Sequence, residues 1–379
     1  MTIFKKKSEE RLVDVTFNVH KFTSKDKPTD KNKIIIVSCF SEFGCEVMGA
    51  MYCIPWVKRE DPDAYIIVMG WYGRSYLYRH LADEFWEVKE EFQWLRDYAL
   101  AFHNNSKNLQ KIEKQALQFG KVVTADHLGR MAVGNTCKHC NHFWGQTDKV
   151  LRCPTCNSEN VQRGLFADVP GWRQHVVRIP PPSEEKLFEA KQFLGPHPVA
   201  VTARNRVTYG RNLQPEFYVM LVELLERMGY NPIWIGEKQT TLECPCPHIV
   251  DMTRKPEARD LELTLAIVSQ CHFTVQFWTA STRLAAIMGV PYLIFESPDQ
   301  LWGNGQEAFR LGLCTMGPKK ICVCHYLNVF NGHKQAIDLV QLCVKQMQKG
   351  DFEDVIGLVD CPASVQGMRM QNSHRLGGI

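Results

Sequence analysis

Ile34-Ile35-Ile36-Val37-Ser38-Cys39-Phe40-Ser41-Glu42-Phe43-Gly44-Cys45-Glu46 reads as a strand, a glycine loop and the start of a helix. Its first half is an unbroken apolar, β-branched run, the pattern of a strand covered on both faces in a parallel sheet. With the helical pattern over Val47 to Val57 it forms the opening of a doubly wound α/β unit. A second such unit follows, with a strand over Tyr65 to Met69, then Gly70 and a helix over Ser75 to Phe85. Residues 85–119, aromatic and charged, are predicted helical, and Val122-Val123 leads on into a cysteine-bearing insertion.

Upstream, residues 1–32 are polar and lysine-rich and predict a basic arm, loose or paired as an edge strand. Downstream, Pro180-Pro181-Pro182-Ser183-Glu184-Glu185 is a stiff linker ending in a capping-box-like turn, and it marks a domain boundary. The α/β rhythm then restarts. Strands are expected at Pro198–Thr202, Pro232–Ile235, His248–Asp251, Phe273–Gln276 and Pro291–Phe295, with helices at Pro215–Met228, Arg259–Ser269, Thr279–Met288 and Gly332–Lys349. The expected class is α/β, with two Rossmann-like domains facing each other across a cleft. They are residues 33–180, including a ribbon at 134–163, and residues 181–350, followed by a tail at 351–379.

The chain has 379 residues, 45% hydrophobic and 23% charged, which suits a soluble two-domain protein and excludes a disordered chain, collagen or a coiled coil. No apolar run approaches the roughly 20 residues that span a bilayer, and the start lacks a secretory apolar stretch, so a cytoplasmic protein with no membrane partner is expected. If the gene is phage-encoded, that means the host cytoplasm. The formal net charge is +4, and residues 1–33 alone hold nine Lys/Arg against five Asp/Glu. A second local excess, eight against four, lies in residues 121–178 beside His127, His139, His142 and His175. A polyanion-binding surface would therefore be local, and a merely solvated basic face is the plain alternative.

Fifteen cysteines, an odd count in a long chain, point to reduced thiols rather than a disulfide scaffold. Most, such as Cys39, Cys53, Cys271 and Cys343, fit small-hydrophobe positions. Cys244/Cys246 and Cys322/Cys324 are spaced too closely to be good ligand pairs. Cys137-Lys138-His139-Cys140 and Cys153-Pro154-Thr155-Cys156 stand apart, separated by twelve residues that can run out and back as a hairpin. Two CxxC turns so placed predict a closed tetrahedral S4 site for a structural Zn2+, with Lys138, Lys149 and Arg152 easing its negative charge.

Thr202-Ala203-Arg204-Asn205-Arg206-Val207 follows the first strand of the second domain, where open α/β sheets bind ligands. Arg204 and Arg206 are expected to fork onto a diphosphate. Glu237, after the next strand, is placed to meet a ribose or base, and Glu296 is a weaker candidate of the same kind. A helix opening at Thr279 would offer free N–H groups and a positive dipole end to phosphate, with Ser281 and Thr282 adding hydroxyls. The plain alternatives are a surface arginine cluster and a Rossmann helix without a ligand.

The stretch Cys271 to Pro291, with Thr279-Ala280-Ser281-Thr282-Arg283-Leu284-Ala285-Ala286 and Gly289-Val290-Pro291, resembles the heptosyltransferase-like branch of the GT-B glycosyltransferases. The likeness covers roughly residues 33–120 and 196–345, with the ribbon and the basic arm outside it. Gln276, Phe277 and Trp278 replace the acid and glycine usual in that turn. The resemblance implies a nucleotide-sugar donor held by Arg204, Arg206, Glu237, Thr279, Ser281, Thr282 and Arg283, and no catalytic metal. It also implies that Phe43 and Gly44 form an acceptor-side loop and that Glu46 takes the acceptor proton, with Glu42 as second choice. The alternative for both carboxylates is helix capping.

The ribbon and the aromatic residues Phe143, Trp144, Phe166 and Trp172 suit a large polyanionic acceptor, so the leading acceptor at this stage is a hydroxymethylated base in double-stranded DNA. A cell-surface glycan or lipopolysaccharide is the rival. A non-catalytic nucleotide- or nucleic-acid-binding protein on the same scaffold is the third reading. The sugar, the nucleotide base and the oligomeric state are left open.

Overall fold

A computed structural model of the chain describes residues 15–41, 43–48, 50–95, 107–125, 130–133, 135–137, 139–140, 143–144, 152–153, 155–163, 166–168, 177, 179–205, 212–277, 284–285, 288–296, 322–325 and 333–349. The chain divides into two compact units, Met1–Val177 and Arg178–Ile379. Among the described residues no helix is long and apolar enough to cross a membrane.

The strands of the first unit are β1 (Phe17–Lys21), β2 (Ile34–Ser38), β3 (Tyr65–Gly70), β4 (Glu84–Val88), β5 (Lys121–Ala125), β6 (Arg130–Val133), β7 (Asn135–Cys137), β8 (Phe143–Trp144), β9 (Val161–Arg163) and β10 (Phe166–Asp168). Its helices are α1 (Phe43–Met48), α2 (Cys53–Glu60), α3 (Ser75–Tyr78) and α4 (Lys107–Ala116). One sheet runs β1-β4-β3-β2-β5-β6-β10 and a small one runs β8-β7-β9. Strands β4, β3, β2 and β5 are mutually parallel, and β1, β6 and β10 add antiparallel edges. In chain order the parallel core reads third, second, first, fourth, so its switch point lies between β2 and β5. All five residues of β2 and all six of β3 are buried, as their continuous apolar pattern requires. Gly120 lets the turn into β5 approach β2, since a Cβ there would lie 2.7 Å from the Ile34 carbonyl.

The helix expected over Ser75 to Phe85 ends at Tyr78, and β4 follows in a region expected to be helical. Its acids Glu84 and Glu87 are buried and hydrogen-bonded. Glu84 accepts from the Tyr65 hydroxyl at 2.9 Å, Trp86 Nε1 at 3.0 Å and Lys27 Nζ at 3.2 Å. Burial is the largest single effect and opposes them, but together these donors outweigh it and hold the carboxyl below the usual range. Glu87 accepts from the Gly73 N–H at 2.9 Å. The basic segment ahead of β2 is pinned as well: β1 pairs with β4, and Lys25 Nζ donates to the Asp63 and Ala64 carbonyls at 3.0 and 3.1 Å.

In the second unit the strands are β11 (Pro198–Thr202), β12 (Asn231–Trp234), β13 (Val250–Asp251), β14 (Phe273–Phe277), β15 (Tyr292–Glu296) and β16 (Cys322–His325). The helices are α5 (Glu184–Lys191), α6 (Pro215–Arg227), α7 (Leu261–Gln270) and α8 (His333–Lys349). The sheet order is β13-β12-β11-β14-β15-β16 and every pairing is parallel. That is the doubly wound order 3-2-1-4-5-6, with its switch point between β11 and β14. Cys322 and Cys324 thus belong to an edge strand that the sequence reading did not anticipate. Helix α6 starts with Pro215 in its first turn and closes on Gly229 at φ +85°, and it buries Phe217, Tyr218, Leu221 and Leu225 against the sheet. Ser183 caps α5, its hydroxyl accepting from the Lys186 N–H at 3.4 Å.

After β12 the chain turns at Gly236, where φ is +139° and a Cβ would lie 2.2 Å from Thr241 Oγ1. Strain of about 1–3 kcal/mol is typical of such a backbone, before any clash. Gly236→Ala is therefore expected to lower stability by at least about 2 kcal/mol, read as a fall in the urea midpoint at unchanged slope.

Candidate functional site

The switch point of the second unit is floored by buried polar groups. Thr202, the last residue of β11, pairs in register with Gln276, the last but one of β14; they are 4% and 2% exposed, and Gln276 Nε2 donates to Thr274 Oγ1 at 3.1 Å. Arg204, two residues past β11, is 4% exposed, and its Nη1 donates to Asn212 Oδ1 at 3.1 Å. Its backbone is fixed by a bridge to Thr241, by the Leu242 N–H donating to the Ala203 carbonyl at 2.8 Å and by the Asn205 N–H donating to the Thr240 carbonyl at 2.8 Å. Burial raises the pKa of Tyr218 while Arg204 pulls the other way, which places the two groups side by side. Glu237 is half-buried in the turn after β12, with its carbonyl accepting from the Thr240 N–H at 3.0 Å. Glu296 ends β15 opposite His325. Arg206, Thr279, Ser281, Thr282 and Arg283 lie outside the described residues; Leu284 and Ala285, just beyond, are buried in helix.

In the first unit α1 starts five residues after β2 ends, with Phe43 and Gly44 buried in its first turn. Glu46 has no exposed surface. The Tyr78 hydroxyl donates to its Oε1 at 2.5 Å, and Arg74 Nε lies 3.7 Å from Oε2. Arg74, 5% exposed, also covers the Phe43 ring at 4.3 Å, and Tyr78 stacks on Phe85 with 5.1 Å between ring centres. Burial, Cys39 and Glu46 hold Tyr78 well above the usual phenol range, so it acts as a neutral donor to the carboxylate. Glu46 is thus sealed rather than open to an acceptor. Glu42 lies outside the described residues.

A second carboxyl at this edge was not singled out from the sequence. Glu113 of α4 is 1% exposed, and its Oε1 accepts from Ser38 Oγ at 2.6 Å and Thr124 Oγ1 at 3.1 Å. Ser38 and Thr124 are register partners at the ends of β2 and β5, the switch point of this unit. Burial pushes Glu113 up to about 7, with the two hydroxyls offsetting part of the effect. A pattern signal existed: Leu109, Ile112, Glu113 and Ala116 share the buried face of α4.

The two CxxC turns come together as expected. The sulfurs of Cys137, Cys140, Cys153 and Cys156 all lie within 4.8 Å of one another, with Cys137–Cys156 at 3.6 Å and Cys140–Cys153 at 3.5 Å. A tetrahedral ion bound to sulfur at about 2.3 Å requires edges of about 3.8 Å, so the four thiols fit one. The His139 and Thr155 N–H groups donate to Cys137 and Cys153 Sγ at 3.3 and 3.4 Å, and Asn157 takes the left-handed turn at φ +59°. Against burial, the N–H groups of Cys140 and His139 pull the Cys137 thiol down to about 6. Arg152, expected to ease the cluster's charge, instead pairs with Glu159 at 2.6 Å. Lys138 and Lys149 lie outside the described residues, as does Trp172. Among the described residues no other group of three or more His, Cys, Asp or Glu side chains could hold a metal.

No family model matches the chain, and no curated protein matches it. Solved structures do. The glycosyl transferase family 9 protein of Veillonella parvula DSM 2008 is 11% identical, covers 83% of this chain and 97% of its own, and has a TM-score of 0.46. The ADP-heptose lipopolysaccharide heptosyltransferase II of E. coli is 12% identical over 83% of this chain and 99% of its own, at 0.44. An E. coli heptosyltransferase solved with ADP is 13% identical over 83% and 98%, at 0.40.

Proposed function

We propose that the chain is a glycosyltransferase that moves a sugar from a nucleoside diphosphate to an acceptor hydroxyl. The observation that carries this reading is Arg204, a buried guanidinium beside the switch point of a 3-2-1-4-5-6 sheet, the place where such sheets receive nucleotides. In the reaction the acceptor oxygen bonds to the anomeric carbon as the bond from that carbon to the diphosphate breaks. Arg204, with Arg206 and the segment Thr279 to Arg283, takes up the charge of the departing diphosphate. Glu46 receives the acceptor proton; its carboxylate is covered by Tyr78, so that hydroxyl has to give way first. The four cysteines hold a structural Zn2+, which plays no part in the transfer.

For the acceptor we adopt a glycan hydroxyl, the rival of the DNA base in the sequence reading. Two lysines of the basic arm, Lys25 and Lys27, are already engaged within the first unit, which weakens the case for DNA. A salt series on duplex binding separates the two: a DNA-directed enzyme loses affinity steeply as salt rises, and a glycan enzyme binds little duplex at any salt.

Calorimetric titration with ADP, UDP and GDP tests the donor site. At least one should bind, and Arg204→Ala should weaken it about 10- to 100-fold, since hydrogen bonds to charged groups contribute about 1.5–3 kcal/mol. A folded Arg204→Ala that binds as tightly as the parent sinks the assignment.

A further inference from the structure

We propose that Glu113 is a positioning residue: its buried carboxyl bolts the ends of β2 and β5 together and so holds the acceptor-side loop, residues 39–46, in place. The inference rests on the reading that this loop serves an acceptor. Its own support is geometric. Ser38 and Thr124 sit opposite one another at the switch point, and one oxygen of Glu113 accepts from both hydroxyls. The next residue, Cys39, begins the loop, and its N–H donates to the Met69 carbonyl at 2.8 Å. The bolt therefore acts at the joint from which α1 and Glu46 depart.

A carboxyl without a cation to balance it holds such a place well only while it is protonated. The elements packed around Glu113 supply no compensating charge among the described residues. Strand β2 has no titratable side chain, β5 has only Lys121, exposed at its far end, and Lys111 and Lys114 of α4 do not figure among the groups that shift it. The α4 face that carries Glu113 is otherwise Leu109, Ile112 and Ala116, and α4 also packs on β8 of the cysteine-bearing sheet. When Glu113 ionises, the relief open to it is to let the joint admit water.

Hydrogen exchange of the full chain tests this without any substrate. After correction for intrinsic exchange rates, the opening of peptides covering residues 36–48 and 107–116 should rise about tenfold between pH 6 and pH 8 and level off above. That rise follows from a carboxyl that titrates near 7 when closed and near 4.5 when open. Glu113→Gln keeps an acceptor for both hydroxyls and should remove the pH dependence. Ser38→Ala should raise opening at every pH while keeping the tenfold rise. An equal rise in Glu113→Gln, or a parent whose protection does not change with pH, overturns the proposal. Because the measurement needs no acceptor, its failure leaves the donor-site assignment standing, and absent nucleotide binding would leave the Glu113 joint standing.

Discussion

Cys153→Ser is expected to empty the four-sulfur site and unravel the ribbon while the second unit keeps its full stability. Among the described residues, the ribbon's buried cluster is Cys137 and Cys153, with Cys156 and Val161 packed against them. Structural zinc in comparable small modules supplies about 10–16 kcal/mol of apparent binding free energy, far more than three short strands can provide. Metal content by mass spectrometry should fall from about one ion per chain to under about a tenth, and limited proteolysis should then cut within residues 135–163. Chelation of the parent should give the same cuts. Metal-free chain that resists protease throughout the ribbon would show that backbone pairing alone suffices.

Glu46→Gln should destabilise the first unit by about 3–5 kcal/mol, because it removes one charge of a buried ion pair. Arg74 is 5% exposed and lies 3.7 Å from the Glu46 carboxylate, so the amide leaves its charge without a counter-ion at that contact. For a unit of this size that is a fall in melting temperature of roughly 10 °C. The double variant Glu46→Leu/Arg74→Met should recover most of the loss, since paired removal of a buried ion pair is often neutral. Tyr78→Phe removes only a hydroxyl from the pair's surroundings and should cost about 1–3 kcal/mol. It leaves the carboxylate itself in place, so the transfer reaction should survive in Tyr78→Phe and vanish in the stabilised double variant. A Glu46→Gln protein as stable as the parent would remove the ion pair from the account.

The parallel cores were legible in the sequence because a strand covered on both faces must be apolar at every position, as in Ile34 to Val37 and Tyr65 to Met69. Strand β4 was hidden because its acids find donors on other strands and on the N-terminal segment, which no local pattern announces. The cysteine cluster could be read from spacing alone, since chemistry fixes both the ligand type and the turn. The place of Arg204 was readable from strand order, but its partner Asn212 arrives from a later turn. Glu113 was missed for the same reason: a glutamate on an amphipathic helix looks solvated until two strand ends are seen to converge on it.

The chain leaves the large sheet at Val133 and rejoins it at Phe166, and β6 and β10 pair antiparallel through Ala132 and Phe166. The described strands between them, β7, β8 and β9, form the separate small sheet, so the metal-binding piece is inserted between two antiparallel neighbours of the large one. Such a piece is exchangeable: with residues 134–165 traded for Asn-Gly, the Ala132–Phe166 pair closes on a three-residue loop of Val133, Asn and Gly, and the β6–β10 register is kept.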